Sequence, residues 1–229
     1  MMAGVLYAIP TPLGADPEAS LPSAVLRTVR ALRDFAVEDA KSARAFLAAV
    51  GCDPKQARIR ELADESDVAA LLAPLREGRG LGLLAEAGCP GIADPGARLV
   101  AAAHREGYRV VPLVGPSAIV LALMASGLEG QRFAFCGYLP RRHAERARRI
   151  RDLEARSRRE RETQIFIETP YRSDALLAAL LATCAPQTRL CVATDLTLPT
   201  ESVRTQPIAA WRRAPPAIGK RPTVFLLLA

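Results

Sequence analysis

The chain has 229 residues, half of them apolar, with 15 glycines, 18 prolines and a formal net charge of +7. That length holds one large or two small α/β domains, and that apolar share can bury a full core, which excludes a disordered or fibrous chain. No apolar run approaches the ~20 residues of a membrane span, and no basic segment precedes the apolar residues at the N-terminus, so a cytoplasmic protein without a membrane anchor is expected.

The five cysteines, at 52, 89, 136, 184 and 191, contain no Cys-x-x-Cys pair, and reduced thiols are expected. With only His104 and His143 as imidazoles, a zinc site has few possible ligands and no metal is expected.

In chain order, Val5–Ile9 reads as a short buried strand, stopped by Pro10-Thr11-Pro12-Leu13-Gly14, whose prolines cannot donate to a ladder. Leu21, Val25, Val29 and Leu32 recur at helical spacing, and a helix is expected over Leu21–Asp34. A weak strand at Phe35–Val37 leads through Glu38-Asp39 to a helix from Ser42 to Val50, which Gly51 ends. Arg58–Leu62 reads as a strand and Ser66–Arg76 as a helix with Asp67 in its first turn. Leu81–Ala85 is an apolar run typical of a buried parallel strand. Five glycines and prolines follow within nine residues, Gly88, Pro90, Gly91, Pro95 and Gly96. Pro95 is expected to open the next helix with Asp94 as its N-cap, and Gly107 to close it. Arg109–Leu113 is then a strand, and Gly115-Pro116-Ser117-Ala118 a tight turn into another helix.

The second half repeats this rhythm. Arg132–Leu139 is a strand, Pro140–Glu162 a basic helix, Thr163–Ile167 a strand, Ser173–Cys184 a helix, Arg189–Ala193 a strand and Pro222–Leu228 a final strand. Such alternation predicts parallel pairing within each half, two α/β domains over residues 1–114 and 115–229, and a hinge near Pro112–Ser117.

Four strand-to-loop junctions carry the turn-forming residues: Pro10–Gly14, Glu86–Gly96, Gly115–Ala118 and Glu168–Arg172. Open α/β sheets place small-molecule sites at such carboxyl edges. Gly78-Arg79-Gly80-Leu81-Gly82 does not make a nucleotide loop, because its glycines precede and enter a strand instead of following one. No Gly-x-Ser-x-Gly elbow and no Gly-Lys-Ser/Thr phosphate loop occurs, which argues against hydrolase and kinase mechanisms. Between Arg141 and Glu162, ten arginines face five acids. Charge alone leaves two readings open there, a solvated helix with mixed i,i+4 pairs or a surface for a phosphate backbone.

The motifs PTPLG, AEAGCPGIADPG, VVPLVGPSA, FAFCGYLPRR, IFIETPYR and RPTVFLLL occur in that order along the chain. In order and spacing they resemble the tetrapyrrole methylase superfamily, most closely the branch that methylates a ribose 2′-hydroxyl of 16S ribosomal RNA. The resemblance implies two α/β domains with a cofactor cleft between them, S-adenosylmethionine as cofactor, and a homodimer. Position by position it implies cofactor contacts at Pro10, Gly88, Cys89, Ile92, Ala93, Asp94, Ser117 and Ala118. From the second half it implies contacts at Ile167, Glu168, Thr169, Leu196 and Pro222. An alcohol nucleophile must lose a proton as it is methylated, and Glu38, Asp39, Glu168 and Arg172 are the catalytic candidates on that ground. Each of the four is equally compatible with capping or pairing.

Departures from the ribosomal RNA branch fall on the substrate side. Its Glu-Asp-Thr-Arg run is Glu38-Asp39-Ala40-Lys41 here, and its His-Glu-His-Asn run is replaced near Glu61-Leu62-Ala63-Asp64-Glu65. Its Glu-Leu-Thr-Lys-x-His-Glu run is Asp195-Leu196-Thr197-Leu198-Pro199-Thr200-Glu201, and no counterpart of its extra C-terminal region is expected. The expected activity is therefore a methyltransferase acting on RNA, with ribosomal RNA meeting the Arg141–Arg161 helix. The alternatives are methylation of a tetrapyrrole or other small acceptor, or a non-catalytic relative that keeps the cofactor pocket.

Overall fold

A computed structural model describes residues 4–62 and 68–229. The chain divides into two compact units, the first ending at Ser117 and the second running from Ala118 to Ala229.

The first unit is a parallel sheet between two helical layers. Its strands and helices are β1 (Val5–Ile9), α1 (Pro17–Ser20), α2 (Ser23–Ala31), β2 (Asp34–Val37), α3 (Ala40–Ala49), β3 (Arg58–Glu61), α4 (Val68–Leu71), α5 (Ala73–Arg76), β4 (Leu81–Leu84), α6 (Ala97–Arg105) and β5 (Arg109–Pro112). The strand order is β3-β2-β4-β1-β5, and every pairing is parallel. β2 and β4 are buried along their whole length, as central strands covered on both faces must be. Alternation along them sorts the core into two halves. Phe35, Val37, Ile9 and Leu84 pack with Val25 and Val29 of α2 and Phe46 and Leu47 of α3. On the other face Leu6, Ala36, Leu81 and Leu83 pack with Leu71, Leu75 and Leu99.

Several boundaries differ from expectation for physical reasons. α2 starts at Ser23, after Pro22, and ends at Ala31; the residues just before it form the separate turn α1, capped by Asp16. α3 starts at Ala40 because Asp39 caps it. Pro95 does not open α6, and Asp94 does not cap it. Gly96 stands at φ +128°, where only glycine is at ease, so the helix begins one residue later. A Cβ at position 96 would also lie 3.0 Å from Leu83. The expected helix over Ser66–Arg76 is broken into α4 and α5 over its described part. Its start at Ser66 and Asp67, and the departures at Ala63, Asp64 and Glu65, lie outside the described residues.

The second unit comprises α7 (Ala118–Ser126), β6 (Phe133–Tyr138), α8 (His143–Glu160), β7 (Thr163–Glu168), a 3-10 turn (Pro170–Arg172), α9 (Ser173–Thr183), β8 (Arg189–Thr194), β9 (Ser202–Pro207), α10 (Ile208–Arg213) and β10 (Thr223–Leu228). Its sheet runs β6-β7-β10-β8-β9. Here the expectation of parallel pairing fails: only β6 and β7 are parallel, and β10 runs antiparallel to both β7 and β8. The cause is a short connection. Asp195–Glu201 is too brief for a crossover, so β9 must turn back along β8, and β10 is inserted afterwards between β7 and β8.

One core unites this sheet with α8, α9 and α10. Phe166 and Phe225 stack with ring centroids 6.0 Å apart, and Trp211 is buried with its indole N–H donating to the Leu190 carbonyl at 2.8 Å. α8 carries Ile150 and Leu153 into that core. It also buries Glu154, which accepts from the Ala185 amide at 2.7 Å and from the Thr188 hydroxyl. α7 packs against β8, β9 and β10.

Candidate functional site

The carboxyl edge of the first sheet gathers four loops in strand order: Glu38-Asp39 after β2, Glu86–Gly96 after β4, Pro10–Gly14 after β1 and Leu113–Ser117 after β5. They are tied to one another across long sequence separations. The Thr11 amide donates to the Gly88 carbonyl at 2.9 Å and the Gly88 amide returns a bond to the Thr11 carbonyl at 3.0 Å. The Cys89 thiol donates to the Pro116 carbonyl at 3.4 Å. Gly115 lies so close to Pro10 that a Cβ there would stand 2.4 Å from the proline Cβ. The Glu86 amide donates to Glu38 Oε2 at 3.0 Å. Sequence reasoning placed Thr11 and Glu86 within the site loops but not their bonds, whose partners lie 77 and 48 residues away and leave no local signal.

This edge is acidic, although the chain is basic overall. Burial, and then the charges of Glu38 and Glu86, push the Asp94 carboxyl up to about 6. Burial likewise raises the Cys89 thiol, with Asp94 adding to it. Asp39 is held below the usual carboxylate range, chiefly because the Ser42 amide donates to it at 2.7 Å as the cap of α3. Ala93 stands at φ +68°, Gly88 at +82° and Gly91 at +79°, so the loop turns repeatedly over the strand end. Ile92 is exposed on it, and Pro10 and Gly88 are buried beneath.

The second sheet has an edge of its own where β7 and β8 end and β10 begins. Thr223 is in register with both Glu168 and Thr194, so Glu168-Thr169, Asp195-Leu196 and Pro222 lie side by side. The Asp195 amide donates to the Pro222 carbonyl at 3.0 Å. Glu168 is buried and takes two donors on Oε1, the Thr169 amide at 2.7 Å and the Arg172 guanidinium. Its other oxygen is buried without a hydrogen-bond partner. Arg172 reaches Thr169 Oγ1 as well, at 3.1 Å. Glu168 and Arg172 therefore hold each other and brace the loop.

Of the sequence-predicted residues, Pro10, Glu38, Asp39, Gly88, Cys89, Ile92, Ala93, Asp94 and Ser117 lie along the first edge, with Ala118 following directly. Ile167, Glu168, Thr169, Arg172, Leu196 and Pro222 lie along the second. Among the described residues no group of three His, Cys, Asp or Glu side chains is arranged to hold a metal ion. No described helix is long and apolar enough to cross a membrane.

Residues 6–211 match the family Tetrapyrrole (Corrin/Porphyrin) Methylases. The chain is 32% identical to the ribosomal RNA small subunit methyltransferase I of Escherichia coli O157:H7, over 91% of this chain and 72% of that protein. It is 33% identical to the protein of the same name from Pseudomonas aeruginosa, again over 91% and 72%. Among solved structures, the methyltransferase CobJ superposes with a TM-score of 0.66 at 18% identity, covering 100% of this chain and 94% of the other. A cobalt precorrin-4 methyltransferase superposes with a TM-score of 0.62 at 16% identity, over 98% and 94%. The structural likenesses bear on the fold, and the closer sequence likenesses are to the ribosomal RNA enzymes.

Proposed function

The chain belongs to the tetrapyrrole methylase family and is a methyltransferase, and from that premise we propose that it methylates RNA, at a ribose 2′-hydroxyl of 16S ribosomal RNA, with S-adenosylmethionine as the donor. The observation that carries the reading is the knitting of the Pro10, Gly88 and Gly115 loops into one acidic sheet edge. S-adenosylmethionine carries its methyl on a sulfonium and so supplies an already activated electrophile. What the chain must add is alignment, exclusion of water and a destination for the acceptor's proton.

Each demand has a candidate. Glu38, Glu86 and Asp94 make a negative rim suited to a cationic ligand. Ile92 offers apolar surface above it, and Pro10, Gly88, Cys89, Ala93, Ser117 and Ala118 bring backbone and small side chains close. From the second unit, Ile167, Glu168, Thr169, Leu196 and Pro222 serve the same ligand in this reading. Glu38, whose charge bears on the neighbouring Asp94, serves as the proton acceptor in this reading. Asp39 acts through the α3 cap, and the Glu168–Arg172 pair keeps Thr169 in place.

RNA is favoured as acceptor by the names of the sequence relatives and by α8. Arg148, Arg151 and Arg158 recur at helical spacing on its exposed side, away from Ile150 and Leu153. Such a stripe suits a phosphate backbone. The protein works as a cytoplasmic homodimer in this reading. Val120 and Met124 of α7, together with Phe133 and Tyr138 of the edge strand β6, leave apolar surface exposed that a second copy would cover. The test is mass spectrometry of 16S ribosomal RNA from cells with and without the gene. A ribose methyl mark that disappears with the gene supports the reading; identical modification maps refute it.

The substrate-side departures at Ala40-Lys41 and Leu198-Pro199 favour one competing reading, a tetrapyrrole or other small acceptor. Titration with a uroporphyrinoid separates the two, since a bound pigment shifts its absorption bands. A relative that only binds the cofactor would transfer no label to either acceptor.

A further inference from the structure

Tyr171 is 80% exposed, in a chain with only four tyrosines and one tryptophan. The turn that carries it is not loose. Pro170 opens it, the Arg172 amide donates to the Thr169 carbonyl at 2.9 Å, and the Arg172 side chain is held by both Glu168 and Thr169. The ring is therefore presented outward from a braced support. Over it, at 5.2 Å from the centroid, stands the ammonium of Lys220. That lysine is held from a second direction. Asp174, in the first turn of α9, accepts from the Ile218 amide at 3.0 Å and the Gly219 amide at 3.1 Å, and Arg221 donates to the Ile218 carbonyl at 2.9 Å.

A fixed, solvent-facing aromatic ring with a cation beside it is a poor element of a core. It has the chemistry of a single-stranded nucleic-acid contact: the ring offers a stacking face to any base, and the ammonium meets the neighbouring phosphate. Its place fits, because Tyr171 follows Glu168-Thr169 at the sheet edge where Pro222 and Leu196 also lie. We propose that Tyr171 and Lys220 form a nucleotide-stacking platform for unpaired RNA, gripping a base next to the acceptor nucleotide. This rests on the RNA reading above, and it adds a substrate-binding element that lies off the basic helix α8. Electrostatics favour RNA over a peptide as the occupant, since Lys220 and Arg221 lie together on a chain of net charge +7.

The experiment is fluorescence anisotropy with a labelled single-stranded RNA oligomer and the full chain, over a series of salt concentrations. Tyr171→Ala should weaken binding by about 5- to 150-fold with the salt slope unchanged, because stacking releases no counterions. Tyr171→Trp should restore affinity to within a few-fold. Lys220→Ala should weaken binding and flatten the salt slope by about the value of one neutralised phosphate. Thermal unfolding of Tyr171→Ala should match the parent, as expected for so exposed a ring. If the parent protein binds RNA and Tyr171→Ala binds it equally well, the platform is refuted and the RNA reading stands. If the parent binds no RNA, both fall. If Tyr171→Ala turns a dimer into monomers with RNA affinity intact, the ring belongs to an interface between copies and the proposal is overturned.

Discussion

Asp94→Asn should stabilise the protein above pH 6 and leave it unchanged near pH 4. The side chain has an ordinary carboxyl pKa of 3.8 when unfolded and about 6 when folded, because burial and the charges of Glu38 and Glu86 oppose its ionisation. Between those values the folded chain holds a proton that the unfolded chain has released. The contribution of Asp94 to stability therefore falls as pH rises from about 4 to about 6, and stays at the lower level above that. Full conversion of the shift would give about 3 kcal/mol, but Asp94 is only half-buried, and solvent screening reduces this to about 1 kcal/mol. An amide of the same shape has no such penalty. For a unit of this size the difference corresponds to roughly 4 °C or more in Tm. Circular dichroism melts of parent and variant at pH 4 and pH 8 are the assay. An equal difference at both pH values, or a variant less stable at pH 8, would refute the electrostatic account of this edge.

Gly115→Ala should lower stability by about 1–3 kcal/mol and weaken S-adenosylhomocysteine binding, because the new methyl group drives Pro10 out of place; urea midpoints and calorimetry check both, and an unaffected ligand affinity would detach that loop from the cofactor. Trp211→Ala should destabilise the second unit by about 3–5 kcal/mol, since it removes the largest buried side chain and its bond to Leu190; chemical denaturation followed by far-ultraviolet circular dichroism reads this. Replacing Arg148, Arg151 and Arg158 by alanine should reduce RNA affinity and lower the salt slope by about 0.7 for each phosphate no longer neutralised. A slope that does not move would return α8 to the status of a solvated helix.

Two strands buried along their whole length were plain in the sequence: β4 and β10 are short apolar runs that follow a glycine or a proline, and burial demands that composition. β9 was not. Ser202–Pro207 is a half-exposed edge strand whose polar residues carry no apolar run, and the antiparallel order of the second sheet depends on it. The start of α6 was misread because Asp94-Pro95 is a good helix opening, whereas the backbone at Gly96 adopts a conformation that overrides it. The loops of the candidate site were visible as clusters of glycine and proline. Their mutual bonds were not, because Thr11 with Gly88, Glu38 with Glu86 and Cys89 with Pro116 meet only once the parallel strands are in order. The exposed Tyr171 likewise gains meaning only beside Lys220, 49 residues away in sequence.

Isothermal calorimetry of the folded chain with S-adenosylhomocysteine tests the methyl-donor site most directly. The account predicts one ligand per chain with micromolar or tighter affinity, weakened by Gly115→Ala. A correctly folded sample that yields no binding heat, and whose melting temperature does not rise with saturating ligand, would contradict it.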